Sequence, residues 1–443
     1  MVTDKTVVPI AGPPAMSFRL FLLCSFVLLG RPQDILPFLQ PLRPALVLTV
    51  LAMVAVVVGA RRHEFSDALS TSESKRYLLF FFIMIVGIPF AYHRRIAFEG
   101  VLEGYIVNIL FFVLVVFHIT SLQRLKSLVW TICLCTLMYS VFGGLLQTAG
   151  VGGGRLQLLG QTFDPNDTAY VLVSLFPLCV FFFRFDEGLL KRVVAVAALV
   201  SSMAVILQTG SRGGILGFGA VLSLLLLSKA GSIGRGCKWL LVGILACTVL
   251  LFRDAIDVER YLTLTEISSD YNVSSKEGRL ELWQAAIALS LANPLTGVGV
   301  HCFPWAHFLA RAAHGVTNLQ YHTVHNSYLQ VAAEMGLVAL GVFVLINLKS
   351  VLTFLRTSRP GMQAQSREAR EIGVLGGLML LGFTGHLVSA FFLSQGYSIF
   401  FTLYFALAAT IGRRGVASSS ASVALHGANA SVVPEMRNSR HAR

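Results

Sequence analysis

The sequence predicts an all-α membrane protein with about twelve transmembrane helices and one large loop outside the membrane. The 443-residue chain is 55% hydrophobic and only 13% charged, and its mean hydropathy is +0.72. Soluble domains usually carry roughly a quarter charged residues. The charges of this chain lie in short stretches between long apolar segments. The distribution of these charges therefore indicates orientation in a membrane, and nucleic-acid binding is not expected despite a net charge of +13.

Twelve apolar segments approach the length of about 20 residues that a spanning helix needs. The first could be mistaken for a signal peptide, because Arg19 precedes an apolar stretch. RPQDILPFLQPLRP follows it in place of a small-residue cleavage site, so we predict a retained helix. The predicted spans lie near residues 17–30, 44–60, 77–91, 101–118, 127–146, 168–183, 193–208, 213–228, 237–252, 328–348, 373–393 and 396–412.

Lysine and arginine collect in alternate connections, and this pattern predicts the orientation. Because cytoplasmic loops carry the excess of basic residues, both termini are predicted to be cytoplasmic. The chain then divides into transmembrane helices 1 to 9 (1–252), a periplasmic loop (253–327), transmembrane helices 10 to 12 (328–412) and a cytoplasmic tail (413–443). The tail is rich in Ser and Ala and lacks an apolar pattern, which predicts disorder.

The loop 253–327 is too long to be a simple connection and is expected to be functional or separately folded. Within it, RLELWQAAIALSLANPLTGVGV places Leu280, Trp283, Ile287 and Leu291 on one stripe of a helix. Asn293-Pro294 should end that helix. The pattern predicts an amphipathic helix that lies on the outer membrane surface or covers the helix bundle.

Four polar residues far apart in the sequence are predicted to share the outer membrane face: Arg155, Arg212, Arg279 and His325. An arginine near hydrocarbon costs a few kcal/mol unless it is paired or hydrated. Three such arginines in one region therefore suggest a common anionic ligand. The alternative is that each one reaches phospholipid headgroups or pairs with a neighbouring glutamate.

Short motifs in this part of the chain resemble those of the O-antigen ligase and polymerase family. They are SRGG at 211–214, R-x-x-x-W from Arg279 to Trp283, P-x-x-G-x-G at 294–299, H-N-x-Y-L at 325–329 and E-x-G at 334–336. FDPND at 163–167 is similar to the N-P-N stretch of many members, with Asp164 in place of the first Asn. The resemblance covers roughly residues 150 to 345. RPQD is also similar to ligase-like members of exopolysaccharide clusters, so the acceptor need not be lipopolysaccharide.

The resemblance implies a glycosyltransferase of the GT-C type in the bacterial inner membrane, with its active site on the periplasmic face. The donor would be a glycan on undecaprenyl diphosphate, and the acceptor a hydroxyl of lipid A-core, another glycan or a protein. Arginines hold diphosphate through a planar fork, and a histidine suits the general base. The implied roles are diphosphate contacts for Arg212 and Arg279, with Arg155 third, the base for His325, and substrate contacts for Asn166, Trp283, Asn326 and His322. No metal or other cofactor is expected.

Other interpretations of the polar residues remain open at this stage. His325 could instead be a polar residue at a helix start or a metal ligand. A metal site would need His322 and further ligands, for which His301, His307 and His314 lie in the same loop. Glu334 is expected to make a polar contact between helices and not to act as a catalytic acid. His386 is either a functional intramembrane residue or a packed one with a backbone partner.

Two further functions compete with the ligase. A polymerase of O-antigen or exopolysaccharide would use the same donor, with another lipid-linked repeat as acceptor. A transporter of polyisoprenoid-linked glycans would also have many helices and arginines, but should show internal repeats and charges through its central cavity. The sequence contains no convincing repeat, and its polar candidates concentrate on one face, so transport is the weakest of the three.

Overall fold

A computed structural model describes residues 15–59, 62–145, 164–185, 187–227, 234–253, 256–258, 261, 278–313, 315–316, 320–359 and 366–413. Over these residues the chain is helical and contains no β-strand. The all-α class is confirmed.

The helices are numbered in chain order. Short 3-10 turns at Pro37–Leu42 and Ile88–Phe90 and a π-helix at Glu99–Tyr105 connect some of them. The α-helices are α1 (Ala15–Gly30), α2 (Pro32–Ile35), α3 (Pro44–Gly59), α4 (Arg62–Leu69), α5 (Ser72–Gly87), α6 (Arg94–Phe98), α7 (Ile106–His118), α8 (Leu122–Leu145), α9 (Pro165–Arg184), α10 (Leu189–Gln208), α11 (Arg212–Leu227), α12 (Arg235–Leu251), α13 (Arg279–Ala292), α14 (Phe303–Ala313), α15 (Ser327–Thr357), α16 (Arg367–Ala390) and α17 (Ile399–Arg413).

Seven helical stretches of the described residues are long and apolar enough to cross a membrane. They are Pro37–Gly59, Arg94–His118, Leu122–Phe142, α9, α10, α15 and α16. Four shorter apolar helices correspond to α1, α11, α12 and α17. The remaining predicted span, near 77–91, falls on α5, whose first turn is polar. A multi-pass membrane protein is therefore supported, and the count of about twelve spans stays a prediction.

Helix α9 lies at the centre of the bundle and is buried along most of its length, against α8, α10, α11 and α16. Its apolar residues surround it on all sides, as expected for a helix that is packed within a bundle. Glycines allow close approach nearby: Gly217 of α11 lies against Ser389 and Gly385 of α16. This close packing sets the positions of α11 and α16 relative to α9.

Basic residues that the sequence assigns to the cytoplasmic side do meet at one end of the bundle. Lys126 forms ion pairs with Glu187 and with Glu371, the latter at 3.1 Å. Lys191 and Arg367 pair with the same two glutamates, at 3.5 Å to Glu187 and 2.7 Å to Glu371. The ends of α8, α10 and α16 are thereby joined. Their grouping agrees with the predicted alternation of the connections, although the side of the membrane stays a prediction.

The predicted helix in the loop 253–327 is present as α13, and Asn293 caps its C-terminus as expected. The face that packs on the protein differs from the predicted stripe. Leu282, Ala286 and Ser290 are buried, whereas Leu280, Ile287 and Leu291 are 48%, 46% and 66% exposed. Leu282 and Ala286 pack together against Ala333 of α15, so the face turned to the protein is centred on these two residues. A second helix, α14, follows in the same loop.

Candidate functional site

The connection Phe391–Gly396 between α16 and α17 contacts every element that carries a predicted site residue within the described chain. Trp283 of α13 packs edge-on against Phe391, with ring centroids 5.4 Å apart. Gly213, which follows Arg212, lies so close to Phe392 that a Cβ there would meet its ring. The backbone N–H of His325 donates to Ser394 Oγ at 2.7 Å. Residues from three distant parts of the sequence are therefore held around one short segment.

Further hydrogen bonds fix the same connection to α9 and α15. Gln395 Nε2 donates to Asp167 Oδ1 at 2.8 Å. The backbone N–H of Gln395 donates to Ser327 Oγ at 3.0 Å, and Ser327 Oγ donates in turn to the carbonyl of Leu393 at 2.7 Å. The backbone N–H of Gly396 donates to Gln330 Oε1 at 3.0 Å. This network holds the start of α15, and with it His325, in a fixed position.

His325 lies two residues before α15, in a left-handed conformation with φ of 54°. Such a backbone is unfavourable for a residue with a Cβ and is found where the surrounding structure enforces it. Burial lowers the pKa of His325 below its ordinary value, and the charges of Arg279 and His322 lower it further, while Asp164 opposes the change. A neutral imidazole beside a guanidinium and a carboxylate is suited to accept a proton at neutral pH.

The two arginines occupy the first positions of their helices. Arg279 begins α13 and is partly buried, within electrostatic range of His325. Arg212 begins α11 and is also partly buried, after Ser211, whose Oγ accepts the backbone N–H of Gly214 at 3.1 Å. The N-terminal end of a helix carries N–H groups without helical partners and a partial positive charge. Each arginine therefore adds its charge to a location that already favours an anion.

The glycines of the SRGG motif serve packing. A Cβ at Gly213 would meet Phe392, and a Cβ at Gly214 would collide with Ala169. Ser389 Oγ also donates to the carbonyl of Gly213 at 3.4 Å. Because both positions must be small, the start of α11 can lie directly against α9 and the connection 391–396. The motif thus positions Arg212 through close backbone contact.

The P-x-x-G-x-G and E-x-G motifs pack directly against each other. The backbone N–H groups of Val298 and Gly299 donate to the carbonyls of Ala333 and Glu334, both at 2.9 Å. The buried Glu334 carboxylate accepts from the backbone N–H groups of His301 and Phe303, at 3.0 and 3.3 Å. Glu334 therefore anchors the loop to α15. Its predicted polar contact exists and is made with backbone N–H groups, one in the loop at His301 and one at Phe303, the first residue of α14.

Helix α15 is interrupted where the two motifs meet. Gly336 has φ of 84° and ψ of 174°, outside the helical region, and the N–H of Leu337 donates to the carbonyl of Pro294 at 2.7 Å. A Cβ at Gly336 would come within 2.7 Å of the Leu295 carbonyl carbon and the Pro294 oxygen. Only glycine is compatible with both this backbone and this contact.

Replacement of Gly336 by alanine should therefore destabilise the protein by about 1–3 kcal/mol and lower its melting temperature in detergent. Gly341→Ala is the matched control, because it lies in the same helix and a Cβ added there would meet no atom within 4 Å. Alanine at Gly341 should be neutral or slightly stabilising. Equal melting temperatures for the two variants would contradict the proposed constraint at Gly336.

The residues predicted to contact substrate differ in how much of their side chain is already engaged in hydrogen bonds or packing within the protein. Asn326 is 1% exposed, and its Oδ1 caps α15 by accepting from the N–H groups of Tyr328 and Leu329. This is the capping role that asparagine commonly has, so Asn326 is used structurally. Asn166 lies in the first turn of α9, where its side chain donates to Asp164 Oδ2 at 3.2 Å. Trp283 is partly buried against Phe391.

Asp164 is the N-terminal cap of α9. Its Oδ1 accepts from the backbone N–H groups of Asn166 and Asp167, at 2.7 and 2.9 Å. Asparagine and aspartate cap helices about equally well, so the cap by itself does not require one of them over the other at position 164. Unlike asparagine, aspartate also brings a negative charge, and that charge acts on His325.

His322 is partly buried and lies within electrostatic range of both His325 and His307. Burial lowers the pKa of His307, with Arg311 and His322 adding to the effect. Across the described residues, no group of three or more His, Cys, Asp or Glu side chains is arranged to hold a metal ion. His314, one of the proposed metal ligands, and Arg155, the third diphosphate contact, lie outside the described residues.

His386 is fully buried between α16 and α9 and has side-chain partners. Its ring nitrogens lie 3.1 Å from Tyr170 Oη and 3.0 Å from Ser174 Oγ. The predicted backbone partner is therefore replaced by two hydroxyl groups. Because both ring nitrogens are hydrogen-bonded within the core, His386 is assigned to packing.

Three residues of the site were not identified from the sequence: Asp167, Ser394 and Gln395. Asp167 lies within FDPND, directly after a residue that was selected. Ser394 and Gln395 are the two polar residues between the predicted spans 373–393 and 396–412, on the predicted outer face. The sequence did contain a signal for Ser394 and Gln395, because they form a short polar connection on the same predicted face as the arginines.

A comparison with protein-family models gives a match over the part of the chain that contains these residues. Residues 168–344 match the family model described as O-antigen ligase. The match includes Arg212, Arg279 and His325, and it ends before the connection 391–396. A search of curated proteins gave no match.

Proposed function

We propose that this chain, which matches the O-antigen ligase family model over residues 168–344, transfers a glycan from undecaprenyl diphosphate to an acceptor hydroxyl. The reaction would take place at the periplasmic face of the bacterial inner membrane. The acceptor would be lipid A-core or another glycan or protein. Membrane lipids surround the helices, and no nucleic acid or cofactor is involved in the scheme.

The observation that carries this proposal is the convergence on the connection 391–396. It contacts Trp283 of α13, Gly213 beside Arg212, and the backbone of His325. Arg279 acts electrostatically on His325 from the start of α13. A proton acceptor and two permanently charged guanidinium groups are therefore supported by one scaffold, which is what transfer from a diphosphate requires.

In the proposed step, His325 accepts the proton of the acceptor hydroxyl as its oxygen attacks the anomeric carbon of the donor sugar. The bond between that carbon and the phosphate oxygen breaks, and its electron pair stays with undecaprenyl diphosphate. Arg212 and Arg279 stabilise the charge that develops on the leaving oxygen. Preorganised charges of this kind contribute most when the surrounding structure already holds them in place.

The charge distribution around His325 supports the assignment of the base. Burial and Arg279 lower its pKa, so the imidazole is neutral at neutral pH and able to accept a proton. After the transfer, the imidazolium would be stabilised by Asp164, whose charge favours the protonated form. The role of Asp164 would therefore come after proton transfer, in addition to its capping of α9.

The proposal is tested by analysing surface glycans and lipid-linked intermediates in a strain that lacks the chain. We expect long glycan chains to accumulate on undecaprenyl diphosphate and to disappear from the acceptor. Complementation with the intact chain should restore transfer, and complementation with His325→Ala should not. Accumulation of single repeats would instead indicate a polymerase. An unchanged glycan profile would refute both forms of the proposal.

A further inference from the structure

A cavity of about 360 Å³ lies beside the connection 391–396 and has no part in the steps described above. Ser394 and Gln395 line it, together with Asp167 from α9, His301 from the loop before α14, and Tyr397. The described lining includes none of Arg212, Arg279 and Trp283. The cavity is thus distinct from the surface on which the two arginines lie, although the same segment supports both.

The cavity adjoins the backbone that holds His325. Ser394, which lines it, accepts the N–H of His325 through its Oγ at 2.7 Å. The next residue, Gln395, orients the Asp167 carboxylate through a hydrogen bond of 2.8 Å. A molecule in the cavity would therefore contact the segment that positions the base.

The lining has the chemistry of a carbohydrate site. Sugar hydroxyls pair with carboxylate and amide groups, which Asp167, Gln395 and Asn108 provide, and sugar C–H faces pack on aromatic rings such as that of Tyr397. Tyr397 is itself held edge-on by His301, with ring centroids 5.2 Å apart. The volume lies within the range of about 300–1,000 Å³ that is usual for small-molecule sites.

The charges favour a neutral ligand over a diphosphate. Asp167 is an acidic residue, so it supplies no positive charge with which the cavity could hold a diphosphate. Arg31 also lines the cavity, but its guanidinium is paired with Asp34 at 2.7 Å. The cavity therefore offers no excess of positive charge, in contrast to the helix starts at Arg212 and Arg279.

We propose that this cavity binds the acceptor sugar, with Gln395 and Asp167 contacting its hydroxyl groups and the reacting hydroxyl directed toward His325. The inference rests on the proposed function and adds a second subsite to it. Donor diphosphate and acceptor sugar would occupy different sides of the connection 391–396. Gln395 and Asp167 would then determine acceptor affinity and leave donor affinity unaffected.

A kinetic test uses Gln395→Ala and Asp167→Asn in the purified full chain. Each variant should raise the KM for the acceptor by about tenfold, the loss expected for one hydrogen bond, while the donor KM stays unchanged. Asn347→Ala is the control, because this buried amide bonds only to the carbonyl of Phe343 among the described contacts and lies far along α15. A rise in donor KM, or an unchanged acceptor KM, would overturn the assignment.

A binding test does not depend on transfer. Core oligosaccharide, released from purified lipopolysaccharide by mild acid, is added to the detergent-solubilised protein and observed by saturation-transfer NMR. We expect binding to the wild-type chain and to His325→Ala, loss with Gln395→Ala, and no displacement by inorganic pyrophosphate. Absence of wild-type binding, or displacement by pyrophosphate, would overturn the acceptor site.

The two tests separate the subsite from the proposed function. If the wild-type chain binds oligosaccharide through Gln395 but transfers no lipid-linked glycan, the sugar site stands and the transferase proposal fails. If it transfers glycan and Gln395→Ala leaves the acceptor KM unchanged, the transferase proposal stands and the sugar site fails.

Discussion

His325→Ala should abolish glycan transfer while binding of the lipid-linked donor persists. Without the imidazole, nothing at this position accepts the proton of the acceptor hydroxyl, and general-base catalysis typically contributes about 10²–10⁴-fold. Donor binding should survive, because Arg212 and Arg279 lie on other helices and remain in place. The measurement is transfer by purified protein to a defined acceptor, alongside direct binding of the donor.

His322→Ala is the matched control for this experiment. It lies three residues earlier, and α15 keeps its cap because Asn326 supplies it. We expect His322→Ala to retain most activity and both wild type and His322→Ala to be insensitive to EDTA. Equal loss at both histidines together with EDTA sensitivity would indicate a metal site and would exclude the base mechanism.

The pH profile of transfer should reflect the lowered pKa of His325. The neutral imidazole is the active form, and burial together with Arg279 shifts its protonation to lower pH than usual. Activity should therefore persist below about pH 6.5, the ordinary histidine value, and decline only as the pH falls through the lowered pKa. Asp164→Asn removes a charge that raises this pKa, so the acid limb should move to still lower pH.

Arg212→Lys and Arg279→Lys should each reduce transfer steeply at unchanged protein levels. Lysine keeps the charge but loses the planar fork that grips a diphosphate with two parallel hydrogen bonds. Loss of one preorganised donor in comparable sites costs about 10²–10³-fold in kcat, and we expect an effect approaching that size. The donor KM and kcat of each variant are the quantities to measure.

Arg192→Lys provides the control, since Arg192 lies in the first turn of α10 at the opposite end of the bundle from Arg212. This variant should transfer at the wild-type rate. Near-normal transfer by both Arg212→Lys and Arg279→Lys would show that these residues contact only lipid headgroups. The diphosphate site would then have to lie elsewhere.

The sequence by itself determined the class of the protein and the identity of its main polar candidates. Long apolar segments with few charges are compatible only with helices in a membrane, because a backbone group without a hydrogen-bond partner in lipid is too costly. The α13 helix and its end at Asn293 follow from local periodicity and from the proline that comes next. Short motifs with ordered spacing were enough to select Arg212, Arg279 and His325.

The tertiary structure decided how these residues are held and what surrounds them. The face of α13 that packs could not be read from periodicity, because it depends on how α13 is placed against α15. Leu282 and Ala286 are buried there, whereas Leu280 and Ile287 stay exposed. The connection 391–396 was missed because its contacts reach residues hundreds of positions away, such as Gln395 with Asp167. Likewise, position 336 needs glycine because the backbone of Pro294 and Leu295 packs against it. That contact forms only when the chain folds. Contacts of this kind depend on the relative placement of whole helices, and no local pattern of residues encodes that placement.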